Sequence, residues 1–204
     1  MPRLTEARAS AQRQRVLDAA LTCFDRLGYR RTTLQDIVRE SKLSPGAIYG
    51  YFSSKAEIAA TVAEERHRIE RRLVTSALGS ADPLAALLRF VEQYFEWLRL
   101  PEERRRRRIA VQTWAESLHD PAMRRSVESG LAPLTEVTRA LRAAQRRGRL
   151  RPGLDPGSVA RMVLAMLQGF VLQQAWNPSL NVRAYRDTVL ATLEGLMPRR
   201  RVAR

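Results

Sequence analysis

The sequence has 204 residues, a formal net charge of +15 and a single cysteine, Cys23. This length suggests one domain or two small ones, and one cysteine excludes an internal disulfide framework and a multi-cysteine metal site. Alanine, leucine, arginine and glutamate dominate, whereas strand-forming runs of valine, isoleucine, threonine and aromatic residues are missing. The composition therefore predicts an all-α fold.

Three helices are predicted in the N-terminal part of the chain. Apolar residues recur with helical period over residues 11–27, and Gly28 ends that helix. Thr33 can cap a second helix over residues 33–40. A third helix, over residues 45–52, begins at a proline after a connection of four residues. Two short helices joined by so tight a turn pack across each other at a steep angle, which predicts a helix-turn-helix.

The third predicted helix has an unusual outer face. Ile48 and Phe52 are its obvious core contacts, and the remaining positions carry small residues or tyrosines where a solvent-facing helix normally carries Glu and Lys. Small residues let a helix approach a nucleic-acid groove, and tyrosine hydroxyls can reach phosphate oxygens. The next helix begins at Ser53-Ser54-Lys55, where free N–H groups and the Lys55 ammonium can engage phosphate. The alternative is that these are only packing residues of a three-helix bundle.

Two segments of this region resemble the N-terminal signature of the tetracycline-repressor (TetR) family. They are Thr32 to Glu40, TTLQDIVRE, and Leu43 to Lys55, LSPGAIYGYFSSK. The resemblance implies that Thr33 and Tyr49 contact phosphate and that Lys55 anchors the fourth helix on the DNA backbone. It further implies that six residues face bases or nearby sugar-phosphate: Gln35, Pro45, Gly46, Ala47, Gly50 and Tyr51. Ser44 completes the predicted DNA-binding set.

Two positions depart from the family pattern. Lys42 stands in the turn where the family usually has glycine, so it must accept any left-handed backbone there at a cost of roughly 1 kcal/mol. Gln35 matches a base-reading arginine of some members and would suit adenine better than guanine.

The middle of the chain predicts a long fourth helix, about residues 54–78, which links the N-terminal part to the remainder as a transmission lever. The helix after Asp82-Pro83 carries an apolar face about half its circumference wide, which is wide for packing against one neighbour. A plausible use is to line a cavity, although ordinary core packing is the alternative for each residue. The predicted effector pocket, which the family resemblance supports, is lined by Phe90, Tyr94, Trp97, Trp114, Leu118, Met123, Met162 and Met166.

The last two predicted helices indicate a partner surface. The helix over residues 156–176 has one internal charge, Arg161, and is apolar nearly all the way round. The next segment repeats apolar residues at intervals of three and four, a seam suited to helix-on-helix packing. Together they predict half of a two-fold symmetric four-helix bundle, consistent with how the family dimerises. A self-contained monomer is the alternative. The predicted interface residues are Val163, Leu167, Phe170, Val171, Tyr185, Val189, Leu193 and Leu196.

The sequence thus predicts a helix-turn-helix domain over residues 1–55, an effector-binding and dimerisation domain over residues 56–198, and a basic tail over residues 199–204, with about nine helices in all. The predicted function is that of a homodimeric, ligand-responsive transcriptional regulator. The family makes repression the leading mode, with release from a palindromic operator in double-stranded DNA by a small hydrophobic effector.

Two other classes of function are weighed against this one. An enzyme is disfavoured because no phosphate-binding glycine loop or serine-histidine-acid signature is visible. We expect no cofactor and no metal, since His119-Asp120 is better interpreted as a helix end ahead of Pro121. A basic, non-specific DNA-binding or scaffold protein would instead use the arginine clusters, such as Arg104 to Arg108. Residues 1–60 hold only ten Lys/Arg against six Asp/Glu, so most of the excess charge lies elsewhere.

Export is not expected either. Residues 1–10 contain no apolar stretch that resembles a secretory signal. The most apolar segment, Met162 to Leu172, is well short of the roughly 20 residues that span a bilayer. We therefore expect a soluble, cytoplasmic protein without a membrane partner.

Overall fold

A computed structural model describes residues 6–78 and 82–196, so the predicted basic tail lies outside the described residues. The expected all-α class is confirmed: the described residues form ten helices and no strand. The helices are α1 (Glu6–Leu27), α2 (Leu34–Ser41), α3 (Pro45–Tyr49), α4 (Lys55–Leu78), α5 (Pro83–Leu98), α6 (Pro101–Glu116), α7 (Pro121–Leu131), α8 (Pro133–Arg146), α9 (Pro156–Trp176) and α10 (Val182–Glu194).

Helix ends are fixed by residues that satisfy the free backbone groups of the first and last turns. Asp155 caps α9 by accepting a hydrogen bond from the Ser158 amide at 2.7 Å, and Asn181 caps α10 in the same way through the Ala184 amide at 3.1 Å. Gly28 ends α1 with a φ of 81°, a conformation that favours glycine.

Two helix bounds in the N-terminal part differ from the prediction. Helix α1 begins at Glu6 and not at residue 11. The added first turn is largely exposed, so it has no apolar periodicity from which a helix could be predicted. Helix α3 ends at Tyr49 and not at residue 52. There the Tyr51 and Phe52 amides both donate to the Ile48 carbonyl at 2.9 Å, which closes a turn that leads toward α4.

The chain divides into two compact units. The first comprises residues 1–67 and 105–129. Its core is built on the inner face of α1, around Leu17 and Phe24, with Ile37 of α2 and Ile48 of α3. Residues of α6 and α7 join the same core, namely Ile109 and Met123.

The second unit comprises residues 68–104 and 130–204. Helices α5, α8, α9 and α10 pack together in it around three rings. The centroid of Phe170 lies 5.1 Å from that of Phe95 and 4.9 Å from that of Tyr185. Leucines and valines of α8 and α9, such as Leu141 and Val163, are also buried in this unit.

This core contains most of the residues predicted for the dimer interface. Six of the eight are buried inside the unit: Val163, Leu167, Phe170, Val171, Val189 and Leu193. Tyr185 and Leu196 are partly exposed. The apolar faces of α9 and α10 pack largely on α5 and α8. A helix that lies between several neighbours is apolar on several sides, so this apolar pattern does not by itself require a partner.

No helix in the described part of the chain is both long enough and apolar enough to cross a membrane.

Candidate nucleic-acid interface

The start of α2 is held by a reciprocal capping box between Thr33 and Asp36. The Asp36 amide donates to the Thr33 hydroxyl oxygen at 3.2 Å, and the Thr33 amide donates to the Asp36 carboxylate at 2.8 Å. The Thr33 hydroxyl also donates to this carboxylate, at 2.6 Å. The hydrogen bonds from the Thr33 hydroxyl and amide, with one from Arg39, lower the pKa of Asp36 to about 2. The cap fixes the N-terminal end of α2, where Thr33 and Gln35 are exposed.

The turn between α2 and α3 is built on a buried serine. The Ser41 hydroxyl donates to the Val38 carbonyl at 3.1 Å and accepts from the Leu43 amide at 3.4 Å. Between them, Lys42 has a φ of 54° and a ψ of 30°. The left-handed backbone expected at this position is therefore present, with a lysine where glycine has the lower energy.

Helix α3 presents the open surface that its sequence predicts. Ser44 caps it by accepting from the Ala47 amide at 3.2 Å, and Ile48 is buried beneath it. Tyr49 is 60% exposed, one of the most exposed large apolar side chains described. A Cβ added at Gly46 would meet nothing within 4 Å. Seven predicted DNA-binding residues are exposed, Thr33, Gln35, Ser44, Pro45, Gly46, Tyr49 and Gly50, and Ala47 is partly so.

Tyr51 does not share this free surface. Its ring packs against the core of the first unit, and its hydroxyl donates to Oε1 of Gln12 on α1 at 3.0 Å. The hydroxyl therefore holds the end of α3 against α1. The sequence predicted a contact with DNA bases or sugar-phosphate for Tyr51, and did not predict this internal role.

Lys55 is the clearest departure from the predicted site. Its ammonium donates to three backbone carbonyls, those of Tyr29 and Thr32 at 2.8 Å and that of Arg30 at 3.2 Å. It also lies 4.4 Å from the centroid of the Tyr29 ring. Burial lowers the pKa of Lys55, and the charge of Glu116 opposes that shift. An ammonium has three protons to donate, and all three are used here, so the structure gives Lys55 a structural role that the sequence did not predict, while its phosphate contact stays a prediction.

The start of α4 also lacks the predicted freedom to bind phosphate. The Ser53 amide and hydroxyl both donate to Oε2 of Glu57 at 2.7 Å, and these bonds lower the pKa of Glu57. A fixed carboxylate at this helix end opposes a second anion.

Helix α6 holds the α1–α2 loop from another side, which the sequence did not predict. Oε1 of Gln112 accepts from the Tyr29 amide at 2.6 Å, and Oε1 of Glu116 accepts from Nε of Arg30 at 2.6 Å. The first pair is separated by 83 residues in the chain, and no local pattern indicates a contact over such a separation. Residues 29–32 are thus clamped by α4 through Lys55 and by α6 through Gln112 and Glu116.

The arginine run of α6 does not form one solvated face. Arg108 lies 3.4 Å from Asp25 of α1, and Arg105 lies 3.9 Å from the same carboxylate. Arg107 is buried. At the far end of this helix, Asp120 caps α7 by accepting from the Ala122 amide at 2.7 Å, which agrees with its interpretation as a helix end.

The predicted effector-pocket residues are divided between the two units. In the second unit, the Tyr94 ring centroid lies 5.9 Å from that of Phe90 and 5.6 Å from that of Trp97, and Met162 and Met166 are partly buried. In the first unit, Leu118 is 70% exposed and Met123 belongs to the core with α1. Leu118 and Met123 are therefore surface and core residues of that unit, and Trp114 is partly buried there.

The outer side of α9 and α10 carries a groove of about 430 Å³, here called the α9/α10 groove. It is mainly apolar and is lined by Met166, Leu180, Asn181, Ala184, Tyr185, Thr188, Val189 and Thr192. Trp176, at the end of α9, is 74% exposed.

Comparisons with known proteins agree with this architecture. A family model described as "Bacterial regulatory proteins, tetR family" matches residues 16–62. A second model, "BetI-type transcriptional repressor, C-terminal", matches residues 83–198, which is more than half of the chain. The chain belongs to the TetR family. This regulator therefore has a DNA-binding helix-turn-helix, and its family consists of transcriptional regulators and not of enzymes.

Individual relatives cover most of the regulator. The transcriptional regulator TtgR of Pseudomonas putida is 29% identical over 175 residues, which are 84% of this chain and 83% of TtgR. The structure of a SmeT–triclosan complex superposes with a TM-score of 0.79 at 26% identity over 95% of each chain. A regulator from Saccharomonospora viridis in complex with choline has a TM-score of 0.77 at 24% identity, over 92% of this chain and 98% of that one, and supports the fold alone.

Proposed function

We propose that this regulator reads operator DNA with the exposed residues of α2 and α3. The supporting observation is the open face of α3. Gly46, Gly50 and a largely exposed Tyr49 lie on this face, and Ile48 is the only buried residue of the helix. The proposed contact set is Thr33, Gln35, Ser44, Pro45, Gly46, Ala47, Tyr49 and Gly50. Tyr51 and Lys55 act from behind by holding this surface in place.

Footprinting on the DNA around the regulator's own gene tests the proposal, with Gly50→Glu as the decisive variant. Gly50 has a φ of −69°, and a Cβ there would meet only carbonyl oxygens of the same turn, at 3.4 Å and beyond. The fold therefore tolerates a side chain, whereas a carboxylate would enter the groove and face phosphate. We expect Gly50→Glu to abolish protection and Gly50→Ala to retain it.

Gly153→Glu supplies the matched control. Gly153 is exposed in the second unit, and a Cβ there meets nothing within 4 Å. The same added charge should leave the footprint unchanged at this position. Protection that survives Gly50→Glu, or that is lost equally in both variants, would contradict the proposed interface.

The regulator is further proposed to act as a homodimer that places two α3 helices in successive major grooves of a palindromic operator. The outer faces of α9 and α10 offer the partner surface, since the α9/α10 groove is apolar and Trp176 is exposed. A second copy of the chain that covered these side chains would remove their apolar surface from water.

Sedimentation velocity tests the homodimer with Trp176→Glu. We expect a monomer, with Leu118→Glu remaining a dimer, because Leu118 is exposed to a similar degree, 70% against 74%, but lies outside the proposed surface. A Trp176→Glu protein that sediments as wild type would place the interface elsewhere.

The effector is proposed to be a small, mainly apolar molecule that binds in the second unit near Phe90, Tyr94 and Trp97 of α5 and releases the operator. Gln174 of α9 offers a polar group in this unit: it is 7% exposed, and its Oε1 has no hydrogen-bond partner among the described residues. A buried acceptor without a donor favours a ligand that carries an OH or N–H group. Release requires that the ligand bind the DNA-incompetent state more tightly by several kcal/mol.

Two ligands of structural neighbours serve as probes of this proposal. SmeT was captured with triclosan, an apolar phenol, and the S. viridis regulator with choline, a quaternary ammonium. In a mobility-shift titration of the protected operator fragment we expect triclosan, and not choline, to release DNA. Release by choline alone would contradict a hydrophobic effector.

A further inference from the structure

The three basic side chains between Thr33 and Lys55 differ in their partners. Arg39 forms an ion pair with Asp36, one turn earlier on α2. Lys55 donates to three carbonyls of the α1–α2 loop. The Lys42 side chain is exposed and has no hydrogen bond or ion pair to any residue of the described chain. Among these three basic side chains it is therefore the one that remains available to a ligand.

The backbone conformation of Lys42 also distinguishes it from the other two basic residues. Its φ of 54° makes it the one residue other than glycine with a positive φ among those described. Glycine adopts this conformation with less strain than lysine. Non-glycine residues in sparsely populated backbone regions occur preferentially at functional sites.

The fold does not use the Lys42 side chain to build the turn. The conformation of the turn is fixed by its neighbours, through the hydroxyl of the buried Ser41, which bonds Val38 and Leu43, and through Leu43, which packs against the core of the first unit. The Lys42 side chain thus forms no hydrogen bond or ion pair within the described residues that would offset its backbone conformation.

The location of Lys42 suggests what could offset it. It lies two residues before Ser44, which caps the N-terminal end of α3. Helix α3 is the helix that presents the open surface. A lysine side chain is long and flexible, and each strand of DNA carries one phosphate charge for about every 3.4 Å of helix axis. Residues that hold a recognition helix at the groove edge therefore lie within reach of a phosphate.

We propose that Lys42 is a DNA-backbone contact of this regulator, the role that the sequence pattern assigns to Lys55. The lysine is retained in a left-handed turn because its ammonium neutralises a phosphate next to the α3 cap. The inference rests on the proposed DNA interface.

The decisive variants are Lys42→Gly, Lys42→Asn and Lys42→Arg, because they separate the backbone from the charge. Glycine relieves the left-handed conformation and removes the charge. Asparagine tolerates the same conformation without the charge, and arginine keeps both the charge and the strain. Each is compared with wild type for thermal stability and for binding to two DNA probes, the footprinted fragment and a 30-base-pair duplex of unrelated sequence.

Opposite signs are expected for stability and affinity. Lys42→Gly should raise Tm by about 2–4 °C and weaken binding to both duplexes by roughly 3–10-fold. The slope of log K against log salt should become shallower by about one for each protomer, and Lys42→Asn should show the same loss. Lys42→Arg should bind as wild type. A merely structural lysine would change Tm alone, so unchanged affinity and salt slope in both Lys42→Gly and Lys42→Asn would overturn the inference.

The outcome for Gly50→Glu separates this inference from the proposed interface. If Gly50→Glu abolishes binding and Lys42→Gly leaves it unchanged, only the Lys42 contact is refuted. If Gly50→Glu binds as wild type, the interface itself is refuted, and the contact proposed for Lys42 is refuted with it.

Discussion

Replacing Lys55 with methionine removes the ammonium that clamps residues 29–32 but keeps a side chain of similar length. Hydrogen bonds to charged groups contribute about 1.5–3 kcal/mol each. The Tyr29 and Thr32 carbonyls are the partly buried partners, at 2.8 Å, whereas water can replace the donor at the exposed Arg30 carbonyl. Removal of a half-buried charge recovers part of its desolvation cost. We therefore expect the free energy of unfolding to fall by about 2–4 kcal/mol.

Thermal and urea unfolding, followed by circular dichroism, measure this change. For a chain of this size, each kcal/mol shifts Tm by about 2–4 °C, so Tm should fall by roughly 4–16 °C. Lys42→Met is the matched control, because it makes the same substitution at an exposed lysine and should not lower Tm. DNA affinity is measured at low temperature, where both variants are folded, and Lys55→Met should bind within a few-fold of wild type.

The opposite pattern would refute the structural role of Lys55. If Lys55→Met kept the unfolding free energy of wild type to within about 0.5 kcal/mol and lost tenfold or more in DNA affinity, Lys55 would contact phosphate as the sequence pattern indicates.

The remaining predictions concern buried polar groups. Burial, followed by the charges of Asp120 and Glu116, raises the pKa of Tyr29 to about 12. Because the folded state favours the protonated phenol, this contribution to stability is complete below pH 10 and is lost between pH 10 and 12. In urea titrations across that window, Tyr29→Phe should lose less stability than wild type. An identical loss in both proteins would contradict the raised pKa of Tyr29. Gln174→Met removes a buried amide oxygen that lacks a partner and should raise the unfolding free energy by about 1–2 kcal/mol. Gln145→Met should lower it by a similar amount, because Nε2 of Gln145 donates to the carbonyls of Arg151, Pro152 and Leu154; destabilisation by both changes would show that Gln174 has an internal partner.

Local sequence patterns predicted the elements of this regulator well. Helix ends depend on residues within one turn of the end, so the sequence alone indicates where a helix begins or ends. Examples are the cap at Thr33, the proline at the start of α3 and the glycine after α1. The left-handed turn at Lys42 was indicated by the family resemblance, because the family usually has glycine at this position. The exposed character of Tyr49 and Gly50 could also be predicted, since the core residues of a short helix leave the opposite face free.

The uses of the individual side chains were decided by the tertiary structure. Lys55 was predicted to bind DNA, but the loop that it clamps comes to it from residues 29–32, and α6 reaches that loop from more than 80 residues away. The apolar faces of α9 and α10 predicted a partner, yet most of the residues named for it are buried within the second unit, where these helices pack with α5 and α8. Periodicity reports which residues are hidden from water but not what hides them, and composition reports a charge but not the carbonyl or carboxylate that neutralises it. The sequence by itself thus determined the helices, the turn and the family, while only packing between distant segments determined which cation and which apolar side chains stay exposed.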